Sequence, residues 1–307
     1  MRLITRKMPH DFNLFLFGDV HEGTILFCED DFDELLQMMS SPYAGLPASR
    51  NFGVHHGDAI EAISVDDRRY FTATADTSLP MEQAARHAKR LEPVKDKLLA
   101  ILQGNHERKL WRFGDLTAYL CHQLGRPDLY GTYSCKLIYN DRRGNLIFKH
   151  FATHGSKSVT STADDPLRRK VNKELILKRH LKHKTGDCLL ASKGHIHQLI
   201  ICEPESELYL TDDGETIRQS RTHSHQAAGY IHPDHRWYVS TGSFLKLYGN
   251  GVSGYAEVYE YDPVELGFVI VEVRDKKIMR VYKHTTGGVQ MSAGDGYCDG
   301  PQIEAAV

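Results

Sequence analysis

The chain has 307 residues, 41% apolar and 25% charged, with a formal net charge of −2, which allows a full core in one large domain or two small ones and excludes a globally basic nucleic-acid binder, though not one with a local basic patch. The six cysteines (Cys28, Cys121, Cys135, Cys188, Cys202 and Cys298) show no C-x-x-C spacing, which argues against a zinc ribbon or a disulfide framework and for reduced, packed thiols. No apolar run reaches membrane-spanning length, and the basic start lacks a signal-peptide core, so a cytoplasmic protein with no membrane partner is expected.

Residues 13–17 predict the first strand, and the Asp19-Val20-His21 turn leads to a helix over about 29–39, where Phe32, Leu35, Leu36 and Met39 recur at helical spacing. Pro42 and Pro47 mark a loop, and 51–54 resumes as strand toward His56-Gly57-Asp58. This strand-helix-strand unit is the mark of a layered α/β domain. Residues 66–80 are polar and aperiodic, a surface insertion; 81–91 predict the next helix and 98–102 a short buried strand. A helix over 115–124 stops at Gly125. Residues 133–139 and 145–153 alternate as a hairpin around Asp141-Arg142-Arg143-Gly144, where the sheet changes from parallel to antiparallel. Segment 167–184 predicts an amphipathic helix with one basic face around a stripe of Leu167, Val171, Leu175 and Leu181. A polar insertion over 203–236 follows, then strands at 237–241, 255–261, 268–273 and 278–282. The expected layout is one domain over 1–284 with insertions at about 66–80, 156–185 and 203–236, and a disordered tail over 285–307.

Five strand-like runs end in metal-type ligands, where an α/β fold places its chemistry. They lead to Asp19 and His21, to Asp58, to Gly104-Asn105-His106-Glu107, to His154, and to Gly194-His195-Ile196-His197. Two divalent cations about 3.5 to 4 Å apart can clamp a phosphoryl group and acidify a bridging water. Such a site needs a bridging carboxylate and several neutral imidazoles, an inventory that Asp19, His21, Asp58, Asn105, His154, His195 and His197 supply. Oxygen and imidazole donors without thiolate suit Mn²⁺, Fe or Zn²⁺ and disfavour Ca²⁺ alone.

The ordered blocks D-x-H, G-D, G-N-H-E, a lone H and G-H-x-H resemble those of the calcineurin-like metallophosphoesterase superfamily. The resemblance spans Asp19 to His197, with similar β segments continuing to about Tyr282. It implies a four-layer α/β/β/α fold, a central β-sandwich of mixed sheets flanked by helices, with the metal site on loops at one edge. It implies that Asp19, His21 and His197 hold one metal, that Asn105, His154 and His195 hold the other, and that Asp58 bridges; Mn²⁺ is expected first, with Fe or Zn²⁺ as alternatives. His106 is then the general acid that protonates the leaving alkoxide as activated water attacks phosphorus in line. Spacing and analogy point to Glu61 as its carboxylate partner, although an acid there also suits a helix dipole.

Taken singly, any of the eighteen histidines is more often a surface or satisfied core residue than a ligand. His55 and His56 read as strand histidines before they read as ligands. His223, His225, His232 and His235 have H-x-H and H-x-x-H spacing, yet no carboxylate or thiol pattern completes a tetrahedral site. The turn Ser240-Thr241-Gly242-Ser243 is expected to shape the site edge. The second block, Gly57-Asp58-Ala59-Ile60-Glu61-Ala62-Ile63, lacks the arginine of protein serine/threonine phosphatases. The basic helix, together with Arg108 and Lys109 as substrate-binding residues, favours a phosphodiesterase acting on nucleic acid or a nucleotide. A phosphomonoesterase of small molecules or phosphoproteins is the first alternative, and an inactive binding module of the same fold the second.

Overall fold

A computed structural model describes residues 1–286. In chain order it runs β1 (Arg2–Lys7), β2 (Phe12–Phe17), α1 (Glu29–Ser40), β3 (Asn51–His55), α2 (Pro80–Leu91), β4 (Leu98–Ile101), α3 (Asn105–Lys109) and α4 (Leu116–Gln123). The hairpin β5 (Ser134–Asn140) and β6 (Leu146–Thr153) leads to α5 (Pro166–Leu181), β7 (Leu190–Lys193) and β8 (Leu199–Cys202). A second hairpin, β9 (Leu208–Asp212) and β10 (Ile217–Arg221), precedes β11 (Trp237–Thr241), the single turn α6 (Tyr255–Val258), β12 (Gly267–Arg274) and β13 (Lys277–Thr285).

The strands form two large mixed sheets, so the protein is mixed α/β. One sheet has the order β13-β12-β2-β3-β4, with β2, β3 and β4 parallel and β12 antiparallel to β2. The other has the order β1-β5-β6-β7-β11-β8; there β6, β7 and β11 are parallel, and β5 and β8 run antiparallel to their neighbours β6 and β11.

Alternation along each strand sends successive side chains to opposite faces. In β2, Leu14 and Leu16 join an apolar cluster that also holds Leu137, Phe148, Leu190 and Val239 of the other sheet. Phe15 and Phe17 point the other way, onto Phe32 and Leu35 of α1 and Leu120 of α4. In the second sheet Phe148 and Leu190 face the shared cluster, while Phe151 and Ala191 pack on Leu177 and Leu181 of α5. All six residues of β2 are buried, as expected of a strand covered on both faces.

Several sequence expectations change here. β1, which was not anticipated, pairs parallel with β5; its Arg2, Arg6 and Lys7 hide the alternation of an edge strand. Residues expected as strand around 255–261 include the helical turn α6. The 203–236 insertion carries the β9–β10 hairpin, exposed along almost its whole length. The helix at 167–184 is α5, but of its expected stripe only Leu181 is buried: Leu167, Val171 and Leu175 are 76%, 50% and 53% exposed. Lys170, Lys173, Leu177 and Leu181 share one face at i, i+3, i+7 and i+11, and only its apolar C-terminal half rests on the sheet. β13 runs on to Thr285, and Thr286 N donates to Leu266 O at 3.0 Å; the rest of the expected tail, 287–307, lies outside the described residues. The five cysteines among the described residues are buried and free, and Cys298 lies outside them. No described helix is long and apolar enough to cross a membrane.

Candidate metal centre

The C-terminal ends of β2, β3, β4, β6 and β7 deliver the seven expected side chains to one edge of the two sheets. Two groups of donors form, Asp19 with His21 and His197, and Asp58 with His154 and His195. In the first, His197 Nε2 lies 3.4 Å from Asp19 Oδ1 and 3.3 Å from His21 Nε2. In the second, Asn105 Oδ1 lies 2.8 Å from His154 Nε2 and 2.6 Å from His195 Nδ1. Asp58 Oδ2 stands between them, 3.9 Å from His21 Nε2 and 3.3 Å from His154 Nε2. Asp58 is thus placed to bridge the two groups.

Hydrogen bonds on the far side of each ring fix which nitrogen is left for a ligand role. His154 Nδ1 faces the His56 carbonyl at 2.8 Å; a carbonyl only accepts, so Nδ1 carries a proton and Nε2 is the nitrogen turned inward. His21 Nδ1 does the same against Glu61 Oε2 at 2.7 Å. Glu61 therefore orients the His21 ring rather than fixing His106 through its carboxylate, which stays 3.7 Å from His106 Nδ1. His106 Nδ1 instead donates to the Glu61 backbone oxygen. A third grouping, His21 with Glu61 and His106, is held by these hydrogen bonds and offers no free inward Nδ1.

The loops could not meet without glycine. A Cβ on Gly57, whose φ is +91°, would lie 2.6 Å from Gly104 N, and one on Gly104 would lie 2.0 Å from Asp58 Oδ1. Backbone bonds lace the first two loops, Asp19 N to Gly57 O at 2.9 Å and Val20 N to Asp58 O at 2.9 Å. Glu107 ties in the third, accepting from Ala59 N at 2.6 Å and Gly104 N at 2.8 Å. Asp19, His21, Asp58, His195 and His197 all have positive φ between 47° and 71°, a conformation costly for non-glycine residues that collects at functional sites.

Charge explains the protonation pattern. Burial works against ionised Asp58, but the neighbouring His154, His106 and His21 rings hold its carboxyl well below the usual range. Burial likewise opposes the imidazolium of His154, yet Asp58 beside it outweighs that and raises His154 to about 9. Burial dominates at His106 and His195, each pushed down to about 4, and at Glu107, pushed up to about 7. The residues fit a pair of divalent cations. Oxygens and imidazole nitrogens converge from five strand ends, two ring nitrogens face each other at 3.3 Å, and the far nitrogens of His21 and His154 are hydrogen-bonded outward.

A groove of about 1110 Å³ opens over this edge, with Asp58, Asn105, His106, His195 and His197 in its wall. Lys170 and Lys173 of α5 line it, as do Glu260 and Asp262 on the segment after α6. Arg108 and Lys109 do not line it: Arg108 lies over the Tyr133 ring, and Lys109 Nζ is 3.4 Å from Asp67 Oδ2. Arg69, read in sequence as part of a surface insertion, does line it; no spacing signal marks such a residue. His55 and His56 are buried and belong to no donor group among the described residues, and His56 contributes its carbonyl to His154 Nδ1. Among the described residues, no donor group includes His223, His225, His232 or His235. Ser243 Oγ donates to Asp19 O at 2.9 Å, so the 240–243 turn braces the first ligand. Compared with known proteins, the chain matches no family model and no curated sequence.

Proposed function

We propose that the protein is a binuclear metal-dependent phosphoesterase of the calcineurin-like kind. The carrying observation is the position of Asp58 Oδ2 between two separate groups of donors drawn from five strand ends. The three largest apolar clusters, one between the sheets and one outside each, support the α/β/β/α layering that goes with this reading.

Asp19, His21 and His197 would hold one cation, Asn105, His154 and His195 the other, with Asp58 shared; mixed oxygen and nitrogen donors favour Mn²⁺, with Fe or Zn²⁺ as alternatives. When bound, such a pair supplies Lewis acidity toward a phosphoryl oxygen and a nucleophile at neutral pH. Glu61 keeps the His21 ring turned inward, and the His56 carbonyl does so for His154. His106, buried beside Asp58 in the groove wall, is the proton donor to the leaving alkoxide. Its Nδ1 donates to Glu61 O and its Nε2 accepts from Arg69 Nη1, 3.1 Å away, so Nε2 must lose that contact and take up a proton before it can give one to the leaving oxygen.

An open groove walled by Arg169, Lys170 and Lys173 favours a phosphodiester of nucleic acid or a nucleotide over a small monoester. The phosphates would run along α5, because Glu260 and Asp262 would repel them from the opposite side. Metal analysis of the full chain, with initial rates on bis-p-nitrophenyl phosphate and p-nitrophenyl phosphate in Mn²⁺, tests this. Two metals per chain and faster diester turnover are expected. Metal without turnover on either ester would return the chain to the binding-module reading.

A further inference from the structure

Residues 64–76 are sewn onto the metal-ligand loops. Ile25 N donates to Thr74 O at 3.0 Å and Asp76 N to Gly23 O at 3.1 Å. The Gln83 carboxamide ties the segment to α2, donating to Thr77 O at 2.6 Å and accepting from Ala62 N at 2.9 Å. This stitching sets Arg69 in the groove wall beside Asp58, Asn105 and His106.

One edge of the guanidinium is gripped by Asp67, Nε to Oδ1 at 3.2 Å and Nη2 to Oδ2 at 3.0 Å. The Asp67 backbone turn is closed by the same carboxylate, which accepts from Arg69 N at 2.9 Å. The guanidinium carbon lies 5.6 Å from the Tyr255 ring centroid, a cation–π support for the plane of the fork. Nη1 reaches His106 Nε2 at 3.1 Å. A guanidinium has five N–H donors, and these contacts use three. One N–H on each terminal nitrogen is left over, in a groove wall shared with the phosphoesterase ligands.

We infer that Arg69 grips the non-bridging oxygens of the phosphoryl group, and that Asp67 is the positioning residue that aims it. The inference rests on the phosphoesterase reading and names the group that completes the substrate site. A planar fork fixed along one edge and on one face keeps its remaining donors at a set spacing, which suits two oxygens of a tetrahedral anion. An anionic oxygen is a better acceptor than an imidazole nitrogen, so a phosphoryl group would take Nη1 from His106 Nε2. The same exchange leaves His106 Nε2 facing the ester. Recognition of this kind selects phosphate esters over carboxylate esters, because only the former keep two non-bridging oxygens.

Calorimetric titration of inorganic phosphate into the full chain in Mn²⁺, with metal content measured on the same samples, tests it. Arg69→Gln is expected to weaken phosphate binding by roughly tenfold or more, the loss of one charge-assisted fork. Arg69→Lys should weaken it less, since it keeps the charge and loses the planar geometry, and Asp67→Asn should fall between. All three should keep wild-type metal content. Phosphate affinity of Arg69→Gln within about twofold of wild type overturns the inference and leaves the phosphoesterase reading standing. A wild-type chain that takes up no metal, or takes it up and binds no phosphate, overturns both. If Arg69→Gln does not fold, Arg69→Lys decides, and unchanged phosphate affinity there counts against the clamp.

Discussion

Glu61 serves two histidines through two different oxygens. Its position three residues after Asp58 suggests a partner for His106, but the carboxylate binds His21 Nδ1 at 2.7 Å while its backbone oxygen takes His106 Nδ1. Spacing along a chain does not distinguish a side-chain oxygen from a main-chain one, and Ala62, at φ 48°, turns the backbone so that both face the site. The two roles predict different losses. In Glu61→Gln the amide accepts from His21 less strongly, and metal affinity should fall by about 10- to 100-fold, the usual cost of losing an outer partner of a ligating histidine, as read by metal titration. In His106→Asn both metals should remain, while kcat on bis-p-nitrophenyl phosphate drops by about 10²- to 10⁴-fold, the range for loss of a general acid. A His106→Asn protein with undiminished kcat would remove the acid role.

At the scale of elements, the strand ends were legible because apolar runs stop abruptly at Asp19, Asp58, Asn105, His154 and His195, and those runs are β2, β3, β4, β6 and β7. What was not legible was which side of α5 faces inward. Its sequence offers two apolar sets that share Leu181, the expected one with Leu167, Val171 and Leu175 and another with Leu177, and only the sheet decides between them. Because β8 and β11 lie under the C-terminal half, Leu177 and Leu181 are buried and the first turns project along the groove. Arg69 was hidden for a related reason: its loop lacks periodicity and takes its shape from backbone bonds to residues 23–25. The projection of α5 makes its charge testable. In the double variant Lys170→Glu, Lys173→Glu, KM for a single-stranded oligonucleotide should rise by about tenfold or more at low salt, and the salt dependence should flatten as two phosphate contacts are lost. The rate on bis-p-nitrophenyl phosphate, which lacks a polymer's further phosphates, should stay within about twofold. Equal effects on both substrates would place the basic face outside the substrate path.

Across the whole molecule, the two sheets are tied together by a buried polar chain that reaches the candidate metal centre. His56 Nδ1 faces the carbonyls of Phe17 and Val54, each at 3.2 Å, so it carries the proton and Nε2 must accept from Ser192 Oγ at 2.5 Å. Ser192 Oγ then accepts from His150 Nε2 at 2.6 Å, and His150 Nδ1 accepts from Tyr139 OH at 3.1 Å. Each hydrogen runs in one direction and both rings are neutral, so the chain is fully satisfied only without added protons. Burial accordingly pushes His56 down to about 4 and His150 well below its usual value. A histidine whose folded pKa is depressed binds more protons unfolded, so its contribution is complete above about 6.5 and is lost as pH falls toward 4. His154, raised by Asp58 to about 9, acts in the opposite sense: its contribution is complete below 6.5 and is lost as pH rises through 9. Between pH 6.5 and 4 the slope therefore sums the neutral pair with the other histidines that burial depresses, His55, His106, His180 and His195, and the share of His56 is on the order of 3 kcal/mol across that window. Urea unfolding at several pH values, with chelator present to remove metal linkage, should show wild type losing stability from 6.5 to 4. In His56→Gln, which accepts from Ser192 and does not titrate, that slope should shrink; parallel curves for the two proteins would mean that the acid sensitivity arises elsewhere.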